Sequence, residues 1–188
     1  MRLFFAVVAA ERVKKVVKKA VDSFPVTVPP WRWIPPENYH MTLKFLGEVE
    51  DKFLPSLHDA ALRVASNTGS FQIIYGRFGG FPSLSRPRVI FYRIEEGAEE
   101  LSSLAGLLED EAERLGFEKE RRPFRAHLTL ARIKRRFPLA LGEKLKDVSP
   151  LPPYTAQEVD HFVLMRSHLS RGGALYEEIY SFELPGGR

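Results

Sequence analysis

The chain has 188 residues, of which 44% are hydrophobic, and a formal net charge of +4 at pH 7. This length and composition suit one compact domain or two closely packed lobes with a sizeable core. The chain contains no cysteine, which excludes disulfides, thiolate metal sites and cysteine nucleophiles and is compatible with a reducing cytosol. No apolar stretch approaches the roughly 20 residues of a membrane-spanning helix, so the protein is expected to be soluble. A cytoplasmic location is the corresponding expectation from the absence of cysteine.

The first half of the chain predicts alternating strands and helices. A first strand is expected within residues 3–10, with a signal peptide as the alternative. Residues 11–22 predict an amphipathic helix because valine and alanine recur on one helical face. A proline-rich stretch over residues 25–36 then leads into a strand that begins at His40. A second helix over residues 51–66 and a strand over residues 71–78 complete this half.

The same order begins again after residue 85. Residues 88–94 alternate as in a strand, and residues 98–115 place leucines at helical spacing, with Gly116 as the stop. The sequence therefore predicts a single domain over residues 1–188 with an approximate internal duplication, the halves being about 1–85 and 86–188. The remaining predicted elements are a strand beginning at His127, a short helix over residues 139–146, and strands over residues 156–165 and 174–182.

Each half carries one copy of the same tetrapeptide, His40-Met41-Thr42-Leu43 and His127-Leu128-Thr129-Leu130. Neighbouring side chains on a β-strand alternate between its two faces. Histidine and threonine are therefore expected on one face, with the two apolar side chains of each copy in a core on the other. An approximate two-fold symmetry would bring both motif strands to one cleft, with the two histidines facing each other.

Two facing histidines can act as an acid and a base. The unperturbed pKa of histidine is about 6.5, so near neutral pH one ring can accept a proton while the other donates one. In-line displacement at phosphorus needs these groups on opposite sides of the phosphate, and the hydroxyls of Thr42 and Thr129 can donate to its non-bridging oxygens. Arg132 is a further candidate because a guanidinium fits phosphate. Its odd separation from His127 requires either a bend at Ala131 or the end of the strand to bring both side chains to one face.

A cluster of basic residues surrounds the second motif, with Glu120 as the one acidic residue between positions 119 and 136. Clustered cations attract phosphates, so a nucleotide or nucleic acid partner is favoured, with a solvated basic loop as the alternative. The basic residues are Lys119, Arg121, Arg122, Arg125, Arg132, Lys134, Arg135 and Arg136.

The roles of several other aromatic and histidine residues stay open. The segment Trp31-Arg32-Trp33 can either stack on an unpaired base or pack in the core. His58 is expected at the surface. Asp160 and His161 could look like a catalytic dyad, but adjacent residues of a strand are expected to point to opposite faces, so a structural role is favoured for His161. A structural role is also favoured for His168, with substrate contact as the alternative.

The chain resembles the two-histidine phosphoesterases, and among them the RNA 2′,3′-cyclic phosphodiesterases, also called 2′-5′ RNA ligases. The resemblance covers nearly the whole chain. It rests on Met1-Arg2-Leu3-Phe4-Phe5-Ala6-Val7, on Pro36-Glu37-Asn38-Tyr39-His40-Met41-Thr42-Leu43-Lys44-Phe45-Leu46-Gly47, on Phe81-Pro82, on Pro123-Phe124-Arg125-Ala126-His127-Leu128-Thr129-Leu130-Ala131-Arg132, and on Ser167, Leu169 and Tyr176.

This resemblance implies a bilobal α+β fold in which two pseudo-symmetric lobes, each an antiparallel sheet with helices packed outside, enclose an active-site cleft. It implies hydrolysis of a terminal RNA 2′,3′-cyclic phosphate to a 2′-phosphomonoester with no metal or other cofactor. His40 would donate a proton to the departing 3′ oxygen, and His127 would accept the proton of the attacking water. Thr42, Thr129 and Arg132 would hold phosphate oxygens, and a 5′-hydroxyl in place of water would give a 2′-5′ linkage. The expected partner is RNA with a cyclic-phosphate end, tRNA fragments being one candidate, without an obligate protein partner.

Two other functions remain as alternatives. In a non-catalytic RNA-binding module, the basic cluster and the tryptophans would grip RNA while the histidines only shape the pocket. In a metal hydrolase the histidines would bind zinc, but neither tetrapeptide contains the carboxylate or second histidine that such a site usually adds. Turnover of a cyclic-phosphate RNA separates the first alternative from an enzyme, and activity in excess EDTA eliminates the second.

Overall fold

The computed structural model describes residues 1–23, 31–84, 86–133, 155–170 and 173–186. Within these residues the chain alternates strands with a smaller number of helices. Two short 3-10 turns, Pro36–Asn38 and Asp51–Phe53, precede the third strand and the second helix. The strands are β1 (Arg2–Val8), β2 (Trp31–Trp33), β3 (His40–Glu48), β4 (Phe71–Phe81), β5 (Val89–Glu96), β6 (His127–Ile133), β7 (Ala156–Val159), β8 (His161–Ser170) and β9 (Gly173–Glu183), and the helices are α1 (Glu11–Asp22), α2 (Leu54–Ser66) and α3 (Ala98–Arg114).

The strands form two antiparallel sheets. The first sheet has the order β3-β1-β8-β9, and the second has the order β2-β6-β5-β4-β7. This confirms the predicted α+β class with one antiparallel sheet in each of two lobes. None of the helices in the described part of the chain is long and apolar enough to cross a membrane.

Three adjacent strands of the first sheet correspond to three adjacent strands of the second. The order β3-β1-β8 in the first sheet matches β6-β5-β4 in the second, with a motif strand at one side and the opening strand of each half next to it. The last strand of each set of three comes from the other half of the chain. Strand β4 precedes residue 85 but lies in the second sheet, and β8 follows residue 85 but lies in the first sheet. Each sheet therefore contains strands from both sides of residue 85, and the internal duplication stays a prediction.

One continuous core joins the two sheets. It includes Leu3, Phe5 and Met41 from the first sheet together with Ile90 and Leu128 from the second, all 2% exposed or less. A smaller cluster lies on the other face of the first sheet and consists of Phe4, Ala6, Val163 and Met165, with Val8 and Tyr176 packed against it. The first sheet is therefore covered by side chains on both faces, and its second face carries the site described below.

Most predicted elements agree with the structure. The first helix has the predicted bounds, and β4 continues three residues past its predicted end through Gly79 and Gly80. The single strand predicted over residues 156–165 is wrong, because the chain breaks at Asp160 into β7, which pairs with β4, and β8, which pairs with β1. Val159 and Phe162 are both buried, so the apolar pattern gives no sign of this change of sheet. The helix predicted over residues 139–146 lies outside the described residues.

Candidate active site

The two tetrapeptides open the strands β3 and β6, which contact each other between the sheets. Burial alternates in the same way along both strands, with a half-buried histidine and threonine on one face and buried apolar residues between them. This confirms the alternation predicted from the sequence. His40 and Thr42 thus share a face with each other, as do His127 and Thr129, and both faces border one cleft.

Both histidine rings are oriented by a backbone carbonyl two residues earlier in the chain. Nδ1 of His40 donates to the carbonyl oxygen of Asn38 at 2.7 Å, and Nδ1 of His127 donates to that of Arg125 at 2.6 Å. A carbonyl oxygen only accepts hydrogen bonds, so the proton of each neutral ring must sit on Nδ1. Nε2 is then left unprotonated in both rings and available to a substrate.

Aromatic rings pack against both histidines. The ring of His40 lies 5.0 Å from the rings of Phe4 and Tyr176, and the ring of His127 lies 5.2 Å from those of Phe81 and Phe91, measured between centroids. Such surroundings disfavour a charged imidazolium. They also hold the rings in place, because each is contacted from two sides.

The histidine pKa values are lowered by these surroundings. The pKa of His40 is lowered from 6.5 to about 4, mainly by burial and also by the charges of Arg132 and His127, against the opposing effect of its hydrogen bond to Asn38. Burial also lowers the pKa of His127, and Arg132 adds to that shift. Arg132 acts electrostatically on both histidines, and His127 acts on His40, which agrees with the contact between β3 and β6.

A β-bulge follows the threonine in both motif strands, with Leu43 and Leu130 as the extra residues. The extra residue shifts the alternation of faces by one position. The residue five positions after each histidine therefore lies on the same face as that histidine. This residue is Phe45 in β3 and Arg132 in β6, and both are exposed. Arg132 therefore reaches the cleft as predicted, but the backbone irregularity that permits it lies at Leu130 and not at Ala131.

The threonines have free hydroxyl groups facing the cleft. Thr42 lies opposite Ala6 in the first sheet, and Thr129 lies opposite Phe91 in the second. Both side chains are half-buried, and within the described residues neither hydroxyl takes part in a hydrogen bond. Each can donate to an anion placed between the histidines.

Phe45 was not identified as a functional candidate from the sequence. Its ring is 48% exposed, stacks on Phe4 at a centroid distance of 5.5 Å and has the guanidinium of Arg2 above it at 5.8 Å. Its position five residues after His40, the same spacing as Arg132 from His127, was the signal that could have revealed it. Of the two tryptophans considered as base platforms, Trp33 packs against the core instead.

The other histidines lie apart from this arrangement. His168 contacts Glu177 at 2.9 Å and is 43% exposed, and Nδ1 of His161 contacts a carboxylate oxygen of Asp160 at 2.6 Å. The expectation that His161 and Asp160 point to opposite faces is wrong, because Asp160 lies between two strands. His58 packs on the ring of Tyr180.

The basic cluster is divided between solvent and ion pairs. Lys119 pairs with Glu113 at 2.9 Å, and Arg121 is 89% exposed with only a 3.5 Å contact to Glu118. Lys134, Arg135 and Arg136 lie outside the described residues. Of the described members, Arg132 is the one that acts electrostatically on both histidines.

The cleft residues of the described chain do not form a recognisable metal site. No group of three or more histidine, aspartate or glutamate side chains converges there or elsewhere among residues 1–23, 31–84, 86–133, 155–170 and 173–186. The side chains that do converge are imidazole, hydroxyl and guanidinium groups, which suit a phosphate anion.

Two antiparallel sheets that present paired His-x-Thr motifs to one cleft define the class of the two-histidine phosphoesterases. The chain belongs to the LigT-like phosphoesterase family, whose model matches residues 8–91 and 94–176.

Similar proteins match most or all of the chain. An RNA 2′,3′-cyclic phosphodiesterase of Archaeoglobus fulgidus is 32% identical over 97% of this chain and 100% of its own length. One of Aeropyrum pernix is 35% identical over 85% of this chain and 89% of its own. Among solved structures, a Thermus thermophilus protein superposes with a TM-score of 0.82, 32% identity and complete coverage of both chains. E. coli LigT complexed with 3′-AMP superposes with a TM-score of 0.79 and 26% identity over 97% of both chains.

Proposed function

We propose that this protein hydrolyses the 2′,3′-cyclic phosphodiester at the end of an RNA chain to a 2′-phosphomonoester. The observation that carries the proposal is that His40 and His127 make the same hydrogen bond. Nδ1 of each ring donates to a backbone carbonyl, which leaves both Nε2 atoms available to a substrate in the cleft. The name RNA 2′,3′-cyclic phosphodiesterase, carried by full-length relatives, supports the choice of substrate. The complex of E. coli LigT with 3′-AMP supports a ribonucleotide ligand for this fold.

In the proposed reaction, the two histidines act on opposite sides of the phosphorus atom. His127 accepts a proton from water as the water oxygen forms a bond to phosphorus, and His40 donates a proton to the 3′ oxygen as its bond to phosphorus breaks. The products are a 2′-phosphomonoester and a free 3′-hydroxyl. His127 is then protonated and His40 neutral, and proton exchange with solvent restores the starting state.

Three neighbouring side chains stabilise the charge that develops on the phosphate. The hydroxyls of Thr42 and Thr129 donate to non-bridging oxygens, and the guanidinium of Arg132 binds them with two parallel hydrogen bonds. Burial favours neutral histidines in the free protein, and the charge of Arg132 adds to this by lowering both pKa values. A bound anion offsets that charge and favours the protonated form of the donor.

The exposed ring of Phe45 completes the proposed substrate site. Unpaired bases stack on aromatic side chains with little regard for their identity. Phe45 is supported from behind by Phe4, and Phe4 also contacts the ring of His40. A base stacked on Phe45 therefore belongs to the nucleotide whose phosphate lies between the histidines.

The assay that tests this function uses a short RNA ending in a 2′,3′-cyclic phosphate, incubated with purified protein in excess EDTA. We expect a 2′-phosphate product from the native chain and a rate at least about 100-fold lower from the His40→Ala/His127→Ala double variant. Binding without turnover would instead support the non-catalytic RNA-binding module. Loss of activity in EDTA with recovery on adding zinc would support the metal hydrolase.

A second assay addresses the reverse reaction and the biological setting. Because the same groups serve both directions, an RNA with a 5′-hydroxyl supplied at high concentration should replace water and give a 2′-5′ linkage, with hydrolysis favoured in bulk water. We further propose that the enzyme acts in the cytoplasm on RNA fragments, tRNA fragments included. Sequencing of cyclic-phosphate RNA ends in cells with and without the protein tests that assignment.

A further inference from the structure

Arg32 lies next to Arg132 on the cleft face of the second sheet. The two residues are direct partners in the ladder between β2 and β6, and such partners project from the same face of the sheet. The adjacent ladder positions pair Trp33 with Ala131, and Ala131 is completely buried in the core. The side chains of Arg32 and Arg132, one residue out of phase with that pair, therefore project away from the core.

This placement sets two positive charges side by side. Like charges directly opposite each other destabilise a ladder, and within the described residues neither Arg32 nor Arg132 forms an ion pair with an acidic side chain. Both side chains are exposed. An arrangement of this kind is stabilised when anions bind to the guanidiniums.

The two arginines do not reach the same point. The charge of Arg132 lowers the pKa of His40 and of His127, whereas Arg32 is not among the groups that shift either one. Arg32 lies on the edge strand of the second sheet, one strand farther from the histidines. Its guanidinium extends toward the start of β9, where a Cβ atom added to Gly173 would come within 3.0 Å of Nη2 of Arg32.

The start of β9 also borders the segment that leads into His40. The side-chain amide of Asn38 donates to the carbonyl oxygen of Ala174 at 2.8 Å. Arg32 thus lies between the edge of the second sheet and a hairpin that is tied to the first sheet's motif strand. A polynucleotide leaving the cleft on this side would pass the guanidinium of Arg32.

We propose that Arg32 forms a second phosphate-binding position, which takes the phosphodiester adjacent to the reacting one in the RNA chain. This inference rests on the proposed function and extends it to a substrate class. The ligand is the internal phosphodiester on the 5′ side of the terminal nucleotide, a group that a nucleoside 2′,3′-cyclic phosphate lacks. Arg32 touches no reacting atom and gives the enzyme its preference for an RNA chain over a mononucleotide.

The experiment compares two substrates with the native chain and Arg32→Ala. The substrates are a dinucleotide ending in a 2′,3′-cyclic phosphate and the matching nucleoside 2′,3′-cyclic monophosphate. We expect the variant to raise KM for the dinucleotide by about tenfold, as for loss of a charged hydrogen bond, with kcat within about twofold. Rates on the mononucleotide should be the same for both proteins.

A neutral linkage identifies the phosphate that Arg32 contacts. In a second dinucleotide, a methylphosphonate replaces the internal phosphodiester. With the native chain, KM for this neutral dinucleotide should be raised by the same factor as Arg32→Ala raises KM for the normal dinucleotide. The variant should show no additional loss on the neutral substrate, because each change already removes the same contact. The variant should also reduce the slope of log kcat/KM against log salt by about 0.7 for the dinucleotide.

The matched control is Lys15→Ala, which removes one exposed positive charge from α1 and should leave both substrates unaffected. The proposal is overturned if Arg32→Ala changes KM equally for both substrates or changes it for neither. It is also overturned if Arg32→Ala raises KM for the methylphosphonate dinucleotide by the full factor seen on the normal dinucleotide. If the native chain turns over neither substrate, the proposed function itself fails. If the native chain turns over both substrates but Arg32→Ala does not change their relative KM values, only the proposal for Arg32 fails.

Discussion

Phe45 and Arg132 occupy corresponding positions in the two motif strands, each five residues after its histidine and one bulge beyond its threonine. Two nearly equivalent strands therefore present chemically different groups to the cleft. The first offers an aromatic face and the second a positive charge, which suits a ligand with a base at one end and a phosphate at the other. This difference favours one orientation of a bound ligand between two similar strands, and it leads to the first two predictions.

Replacing Phe45 by alanine should weaken substrate binding. Base stacking on an aromatic side chain contributes about 1–3 kcal/mol, so we expect Phe45→Ala to raise KM by about tenfold with little change in kcat. The control is Leu62→Ala, which removes another exposed apolar side chain, 43% exposed, from α2. Steady-state kinetics on a cyclic-phosphate RNA measures both. An unchanged KM for Phe45→Ala would show that the base lies elsewhere.

Replacing Arg132 by alanine should raise the pKa of both histidines in the free protein. Its positive charge lowers the pKa of His40 and of His127, so its removal makes protonation easier for each ring. NMR titration of the imidazole resonances measures this directly, without substrate. Arg121→Ala serves as the control because Arg121 is 89% exposed and acts on neither histidine. Titration curves that do not move in Arg132→Ala would place this guanidinium away from the histidines.

Each cleft histidine should be needed for turnover. Loss of a general acid or base costs about 10²- to 10⁴-fold, so we expect His40→Ala and His127→Ala each to reduce kcat by at least about 100-fold. The kcat of the double variant should be only slightly lower than that of either single variant, since the two histidines act as a unit. His161→Ala, at an exposed histidine paired with Asp160, should retain native activity. A cleft-histidine variant with near-native rates would rule out that residue as acid or base.

A sulfur leaving group distinguishes the donor from the acceptor. A thiol has a pKa near 8.5 and departs without the proton that an alkoxide needs. With sulfur in place of the 3′ oxygen, His40→Ala should recover most of its lost rate while His127→Ala stays slow. Recovery in His127→Ala instead would reverse the assignment.

The pH profile should be a bell displaced to the acid side of neutrality. The acceptor must be neutral and the donor protonated, so activity falls below the acceptor's pKa and above the donor's. Both pKa values are lowered in the free protein, that of His40 to about 4, so kcat/KM should be highest below pH 6.5. The profile of kcat should lie at higher pH, because bound phosphate raises both values. Its two apparent pKa values belong to the coupled pair, and a kcat/KM maximum above pH 7 would contradict this.

The buried Lys44 should be important for stability. Lys44 in β3 is 3% exposed and donates to Glu109 of α3 at 2.6 Å and to the carbonyl oxygen of Glu118 at 2.8 Å. Removing one partner of a buried ion pair costs about 3 kcal/mol or more, so Lys44→Met should lower the free energy of unfolding by about that amount.

Urea unfolding of Lys44→Met and of the Lys44→Met/Glu109→Leu double variant tests this. The double variant should be more stable than the single one, because no buried charge is left without a partner. Lys18→Met, in an exposed pair with Asp22, should have a much smaller effect. Native stability in Lys44→Met would show that the pair contributes nothing.

The sequence predicted what depends on local periodicity. Alternation along a strand is enough to place His40 with Thr42 and to bury Met41, and the helical spacing of valines is enough for α1. The face of Arg132 depends on the extra residue Leu130, which no side-chain pattern indicates. The face of Phe45 depends in the same way on the extra residue Leu43, so the spacing that Phe45 shares with Arg132 was the one signal for it in the sequence. The change of sheet at Asp160 and the exchange of β4 with β8 depend on pairing between distant segments, about which a single sequence carries little information.

The exchange of β4 and β8 makes the halves of this chain mutually dependent. A cut between β4 and β5 would leave β4 without either neighbour in its sheet, and β1 without β8. Neither fragment would hold a complete sheet, so the two pieces could recover a catalytic centre only by reassembling. A split protein of this kind reports association of its fragments through restored turnover, with little background from either piece alone.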